Sequence, residues 1–315
     1  VLNEIKSFLE GANSNFAKLY FMEKNRDKET KEISYNSLKT KIGINVGQDL
    51  INCGLNQIEK ILKKNDIEYT EYQVLPYSDK THIETISKDD VPFLNNIILQ
   101  ISNQSIDKFD DKKTSKIHGY IVKIETKNET LLLFKKHSPK KLLEKGIMSL
   151  IVRNGTLDKL NEDILALEEH YDAALLLKGE ENYTPKVLVL NRPQFEYLFS
   201  FTEFYTDKVN SMKNDFDTVG LIDDSDKLIN ICQNNFNMMR KLCRTLENGA
   251  YKEMSMENIR DCCDKFNVDG VDFDSDGKLI VTEDNIWTIL RILDDDHLSS
   301  DYTELMYEAR SKVKR

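Results

Sequence analysis

The feature that most restricts the fold of this chain is a change in the period of its apolar residues near position 190. Before it, six short apolar runs, Ile117–Glu125, Thr130–Lys136, Ile147–Val152, Ile164–Glu168, Ala173–Leu177 and Val187–Leu190, are separated by turn formers such as Asn128, Ser138-Pro139 and Asn154-Gly155. Runs of that length between turn signals read as strands, and short connections favour antiparallel neighbours. After it, apolar residues recur at three- and four-residue intervals. The spacing predicts helices over Gln194 to about Met212, over Ser225 to Gly249 and over Ser255 to Lys265, the second carrying Leu228, Ile231, Met238, Leu242 and Leu246 along one stripe. Val268–Thr282 then reads as a hairpin turning at Asp274–Gly277, and Thr282 as the cap of a helix over Glu283–Leu293.

The first hundred residues mix both periods. Phe16–Met22 and Ile33–Leu38 read as strands, with Asn128 expected to take a left-handed turn conformation in the later hairpin. Leu50, Ile51, Leu55, Ile58, Ile61 and Leu62 form one face of a helix over about 45–64. Glu68–Leu75 and Thr81–Ile86 read as partner strands around the turn Pro76–Asp79, and another helix starts near Pro92 and runs through Ile101. Ser102–Ser115 is polar and nearly free of apolar residues, so a domain boundary or exposed linker is placed there. The expected fold class is α+β: a mixed α/β domain over 1–105, and a second domain over 106–315. That second domain has an antiparallel sheet at 116–190, packed helices at 194–265, the hairpin at 268–282 and C-terminal helices. A chain of 315 residues has room for both.

No apolar run approaches the roughly 18 residues of a membrane span, and the opening VLNEIKSFLEG carries acids unlike a leader, so a cytoplasmic protein is expected. The five cysteines form no C-x-x-C pair and no zinc spacing, which points to reduced, structural thiols.

Charge is segregated. The formal net charge is −10, yet Lys112–Lys145 holds ten lysines against Glu125, Glu129 and Glu144. Lys265–Glu304 reverses this, with eleven Asp and Glu against Lys265, Lys278 and Arg291. An acidic chain is not a uniformly basic nucleic-acid binder, but a lysine band within it can hold phosphates locally. Alternation along Ile117–Glu125 puts Lys116, His118, Tyr120 and Val122 on one side and Ile117, Gly119, Ile121 and Lys123 on the other, so no strand carries a purely basic face. The lysines concentrate in the connections. Lys112, Lys113, Lys116, Lys135, Lys136, Lys140 and Lys141 are therefore the candidate contacts to DNA phosphates, weighed against a plain solvated surface. Asp294, Asp295, Asp296 and Asp301 read as an exposed acidic patch, suited to the basic loops of a membrane protein, to self-association, or simply to solvent.

Two motifs point formally to metal chemistry. Asp272-Phe273-Asp274-Ser275-Asp276-Gly277 followed by Glu283 matches an EF-hand loop, but Val268-Asp269-Gly270-Val271 is not a helix end and Leu279-Ile280-Val281 suits a strand. An acidic turn without calcium is expected. Asp110 or Asp111 with Glu125-Thr126-Lys127 loosely matches a PD-(D/E)xK nuclease, in which two carboxylates hold magnesium and a lysine supports the attacking water. Lys127 falls in a turn, however, and Glu29-Thr30-Lys31 shows how readily the triplet arises. No nucleophile elbow, phosphate loop or dinucleotide fingerprint is present, and the five histidines are scattered singly. No catalytic residue, metal or cofactor is assigned. A magnesium-dependent nuclease and a non-catalytic adaptor remain the alternatives.

The stretch Ile289–Ser300 (ILRILDDDHLSS), with Thr303, Tyr307-Glu308-Ala309 and Ser311-Lys312, resembles the closing motif of the Kiwa protein B family of bacterial anti-phage proteins. Asp172 after a strand, Phe195-Glu196, Gly277-Lys278-Leu279 and Thr282-Glu283-Asp284 fit the same pattern in order, from about residue 90 to the end, with Asp294 where the family pattern has Asn. The resemblance implies a DNA-binding effector that associates with the multi-spanning membrane protein Kiwa A and blocks phage DNA replication and expression, and the single basic band adds that double-stranded DNA is held through its phosphates, without sequence preference. The resemblance implies no catalysis. A homodimer recruited peripherally to the inner membrane through that partner is the expected state.

Overall fold

The computed structural model describes residues 1–13, 16–30, 32–64, 66–74, 82–103, 117–137, 150–153, 156–159, 170–180, 183–299 and 306–308. The chain forms two compact units, one of residues 1–72 and 79–200, the other of residues 73–78 and 201–315.

Unit 1 contains α1 (Leu2–Glu10), β1 (Ala17–Arg26), β2 (Ile33–Ile42), α2 (Ile44–Leu62), β3 (Glu68–Glu71), β4 (His82–Ser87) and α3 (Leu94–Ser102). It continues with β5 (Ile117–Glu125), β6 (Glu129–Lys136), β7 (Leu150–Arg153), β8 (Thr156–Lys159), β9 (Ala173–Lys178), β10 (Lys186–Val189) and α4 (Arg192–Leu198). The described strands form one sheet in the order β3-β4-β10-β9-β6-β5-β1-β2-β8-β7. Leu19, Phe21, Val122, Ile124, Leu131 and Leu133 pack with Leu2, Ile5 and Leu9 of α1 and Leu50, Ile51 and Ile58 of α2 in one core. The other face is covered by α3 against β2 and α4 against β6, where the rings of Phe134 and Phe199 lie 5.3 Å apart. Both faces of β6 and β9 are therefore dry along Leu131–Phe134 and Ala173–Leu176, which is why these are uninterrupted apolar runs.

The class is α+β, with three departures from the expected layout of this unit. First, the boundary at 105 falls inside unit 1, because β5 pairs antiparallel with β1 from Ala17↔Ile124 to Glu23↔Ile117. The N-terminal elements bury their apolar faces only when the later strands complete the same sheet. Second, the sheet is mixed: β3–β4 and β2–β8 pair in parallel, so Glu68–Glu71 and His82–Ser87 are partners but not a hairpin. The other side of β4 is taken by β10, antiparallel from Ser87↔Lys186. Third, the helix expected from Gln194 ends at Leu198, because Ser200 adopts φ 53, a left-handed conformation unusual for a residue with a Cβ. The Tyr35 hydroxyl donates to Leu198 O at 2.8 Å and lies 2.6 Å from Ser200 Oγ, supporting that turn. The β5–β6 turn closes through Thr126, whose N–H donates to Glu129 O at 2.9 Å and whose hydroxyl accepts from Glu129 N at 3.2 Å. Among the described residues Asn128 is not one with positive φ.

Unit 2 contains α5 (Thr202–Val219), α6 (Ser225–Gln233), α7 (Phe236–Asn248), α8 (Met256–Phe266), α9 (Ile286–Leu293) and the antiparallel pair β11 (His297–Ser299) and β12 (Met306–Glu308). The single helix expected over Ser225–Gly249 is two, since Asn235 caps α7 by accepting from Asn237 N at 2.9 Å. Asp224 rather than Ser225 caps α6, accepting from Lys227 N at 2.9 Å. Gly249, at φ 71, closes α7 and Ser255 caps α8, as the spacing predicts. Thr282 does accept from Asn285 N at 3.2 Å, but α9 begins only at Ile286, and among the described residues the antiparallel pair β11–β12 follows it. The strand expected at Ile164–Glu168 lies outside the described residues. Among the described residues no helix is long and apolar enough to cross a membrane.

Candidate nucleic-acid interface

The register of β5 and β6 decides what the lysine band can do. Gly119 stands opposite Lys136, and His137 N donates to His118 O at 2.9 Å. Ile117, where the chain enters β5, and His137, where it leaves β6, are thus at the same end of adjacent strands. Lys112, Lys113, Lys116, Lys140 and Lys141 lie outside the described residues, in the two segments that join the sheet at these points.

Lys135 and Lys136 belong to β6 itself, and the structure corrects the first as a DNA contact. Lys135 is 6% exposed, and its Nζ lies 3.2 Å from Oδ1 of the wholly buried Asp172. An ammonium held in the interior by a buried carboxylate cannot reach a phosphate without breaking that pair. Lys136 is half-buried; its backbone N donates to Asp172 Oδ2 at 2.6 Å and its Nζ to His137 O at 2.5 Å. Burial holds its pKa below the usual lysine value, with the charge of Asp172 opposing. Asp172 directly precedes β9, the strand expected before it lying outside the described residues, and its own backbone donates to Phe134 O and accepts from Leu190 and Asn191 N–H. One residue thereby ties β6 and β9 to the end of β10.

Alternation along β5 missed a second group of cations. Met22 pairs with Gly119 but Glu23 pairs with Ile117, so His118 is the extra residue of a β-bulge. The bulge aims its ring at α4, with Nε2 3.1 Å from Tyr197 O and the Tyr35 ring 5.8 Å away. Gly119 permits this approach, since a Cβ there would stand 2.4 Å from Leu198 Cδ1 and 2.7 Å from Lys135 O. Burial, then the charges of Lys136 and Lys24, lower the His118 pKa to about 4. Strict two-residue alternation gives no sign of a bulge, and so neither His118 nor Lys24 was a candidate.

At both motifs the described side chains serve local structure. Asp274 Oδ1 accepts from Asp276 N at 2.9 Å and Lys278 N at 2.7 Å, Phe273 bridges Leu279 in antiparallel sense, and Gly277 sits at φ 82. The Asp272–Glu283 loop is the expected acidic hairpin, whose central carboxylate serves its own turn. Glu125 pairs with Lys18 and, at 2.6 Å, with Lys123. Burial opposes, but those two lysines outweigh it and hold the Glu125 carboxyl below its usual pKa. Lys127 lies between the strands, and Asp110 and Asp111 lie outside the described residues. Among the described residues no group of three or more His, Cys, Asp or Glu is placed to hold a metal ion.

The expected acidic docking patch is also corrected. Asp294 is 0% and Asp296 3% exposed. Lys241 Nζ pairs with both, at 2.5 Å from Asp296 Oδ2, while Arg244 Nε lies 3.7 Å from Asp294 Oδ2 and Asn248 Nδ2 donates to Asp294 Oδ1 at 3.1 Å. These acids hold the turn after α9 against α7. Asp295 is exposed, and Asp301 lies outside the described residues.

The family model described as Kiwa protein KwaB-like matches residues 114–303. The chain belongs to this family. Membership places it in anti-phage defence. No curated protein and no solved structure matches the chain. The matched span begins just before β5 and leaves out β1–β4, which share its sheet. Within it, several of the described residues that carried the resemblance, Asp172, Phe195, Glu196 and Asp294 among them, are buried. Glu196 is wholly buried and accepts from the Tyr72 hydroxyl at 2.8 Å and from Arg192 Nε at 2.6 Å, while Arg192 also pairs with Glu84 at 2.5 Å. Asp294 carries a charge that Lys241 and Arg244 face.

Proposed function

We propose that the chain is the DNA-binding effector of a two-component anti-phage system. It binds double-stranded DNA without sequence preference and without hydrolysing it, and acts with the multi-spanning membrane protein Kiwa A to block phage DNA replication and expression. It works as a homodimer, recruited from the cytoplasm to the inner membrane through that partner. The observation that carries the DNA reading is the pairing of His118 with His137, which joins both lysine-rich segments to one end of the sheet. Of the ten lysines of Lys112–Lys145, seven then belong to these segments or to the strand end beside them, Lys123 and Lys135 being paired in the sheet and Lys127 lying in the β5–β6 turn. Phosphate contacts of this kind position a duplex without reading its bases.

The test is an electrophoretic mobility series against salt. Wild-type affinity falls with a log–log slope of about 0.9 per neutralised phosphate, and exchanging Lys112, Lys113, Lys140 and Lys141 for Glu abolishes the shift. A variant that binds duplex as tightly as the parent overturns the assignment. Recruitment is tested by fractionating cells that express the chain alone: sedimentation with membranes in the absence of the partner would overturn it.

A further inference from the structure

We infer that Lys24, His118 and Lys136 form an oxyanion subsite that takes one backbone phosphate of the duplex at the end of the sheet where the lysine-rich segments join. The inference rests on the DNA-binding reading and adds to it a second, sheet-borne set of contacts.

Three strands bring these side chains to one face. Phe134 lies against Phe199, just beyond α4, and Lys136, two residues further along β6, points to the same side. Lys24 stands opposite Tyr35 in the β1–β2 register, and directly opposed residues share a face. Tyr35 reports which face it is, since its ring lies 5.8 Å from His118 and its hydroxyl reaches Leu198 O in α4. The bulge turns His118 onto the same helix end through Tyr197 O. All three basic residues are half-buried, neither sealed in the core nor free in solvent. A phosphate oxygen can approach them, and partial burial leaves their field less screened than that of an open surface lysine.

The imidazole gives the subsite its own signature. A carbonyl can only accept, so Nε2 carries the hydrogen shared with Tyr197 O and Nδ1 is the nitrogen that takes up a proton. The groups acting on it are Lys136 from β6, Lys24 from β1, and the Tyr197 and Leu198 carbonyls from α4, with the uncharged Tyr35 ring from β2. The two lysines disfavour the imidazolium; the carbonyls favour it. A phosphate placed among the three cancels the lysine charges, so binding draws a proton onto His118 and proceeds more strongly as pH falls.

The experiment uses the full chain, a short duplex, and inorganic phosphate as a separate probe. Histidine ring NMR follows His118 during each titration, and mobility shifts against salt compare the wild type with the Lys24→Gln/Lys136→Gln double variant, whose folding is checked by thermal denaturation. The expected result is that duplex raises the apparent pKa of His118, and that the double variant binds about tenfold more weakly with a salt slope reduced by about 0.9. The NMR arm is carried by the wild type, so it remains decisive if the variant folds poorly. If the wild type binds duplex while the variant keeps its affinity and slope and the His118 signals stay fixed, the subsite is overturned and the loop lysines alone carry the DNA. If the wild type binds no duplex, the DNA reading fails and the subsite with it. Movement of His118 with inorganic phosphate but not with duplex would overturn the nucleic-acid assignment in favour of a free phosphate.

Discussion

Two oppositely charged stretches, Lys112–Lys145 and Lys265–Glu304, look alike in the sequence as blocks of one sign and meet different fates in the fold. In the acidic stretch the residues that seemed most available are drawn inside: Asp294 and Asp296 face Lys241 in the interior, and Asp274 accepts the N–H groups of its own turn. In the basic stretch Lys135 pairs with a buried acid and Lys123 pairs with Glu125, while Lys136 stays half-buried at the strand end. The difference follows from side-chain chemistry. A carboxylate is short and accepts backbone N–H groups, so helix ends and tight turns use it up, whereas a lysine offers only donors on a long stem and enters a core only beside an acid. A block of acids is therefore weaker evidence for an outward-facing partner site than a block of lysines.

The contrast can be broken most severely at its acidic end. Lys241→Ala leaves two carboxylates facing one arginine in the interior, and chemical denaturation should show a loss of about 3–5 kcal/mol; a loss under about 1 kcal/mol would mean that solvent reaches these acids after all. Asp172→Ala strands the Lys135 ammonium and should cost about 3 kcal/mol, with Asp172→Asn less damaging because an amide oxygen still accepts from Lys136 N.

His118 sharpens the contrast through pH. Its folded-state pKa of about 4 lies below the ordinary 6.5, so the unfolded chain binds the extra proton between those values. The contribution is present above pH 6.5 and is lost as pH falls toward 4, amounting to about 2–3 kcal/mol. Denaturation midpoints of wild type and His118→Gln should converge over that window, and parallel curves would show that the ring is not desolvated.

Gly277→Val tests the acidic hairpin. A Cβ at φ 82, where Arg260 Nη2 already stands 2.8 Å away, should lower stability by about 2 kcal/mol, with added calcium leaving both proteins' melting unchanged. The smallest effect belongs to the loop lysines. Glu at positions 112, 113, 140 and 141 should shift stability by no more than about 0.5 kcal/mol while removing DNA binding, and a large destabilisation would show that these residues, too, are held by the fold.

Much of the local structure was legible before any coordinates. The β5–β6 hairpin, the helix over residues 44–62, the cap at Ser255 and the stop at Gly249 all follow from period and capping chemistry, which act within a few residues of chain. The acidic hairpin was legible for the same reason, in the β-branched residues and Gly277 around its turn. The family was legible in the order of a few residues near the C-terminus.

What only the tertiary structure decided is non-local. β1 and β5 are nearly a hundred residues apart in sequence yet adjacent in one sheet, so a polar linker between them looked like a domain boundary. Whether a charged residue faces water or a partner depends on elements just as distant, as with Lys135 and Asp172 or Lys241 and Asp294. The bulge at His118 is set by how β1 registers against β5, and that register turns a residue from one face toward another without leaving a mark in the sequence. Composition and period determined which elements form and that lysines and acids are segregated. Long-range pairing determined which of those charges the fold keeps for itself, because a charge buried without a partner costs more than a marginally stable domain can lose.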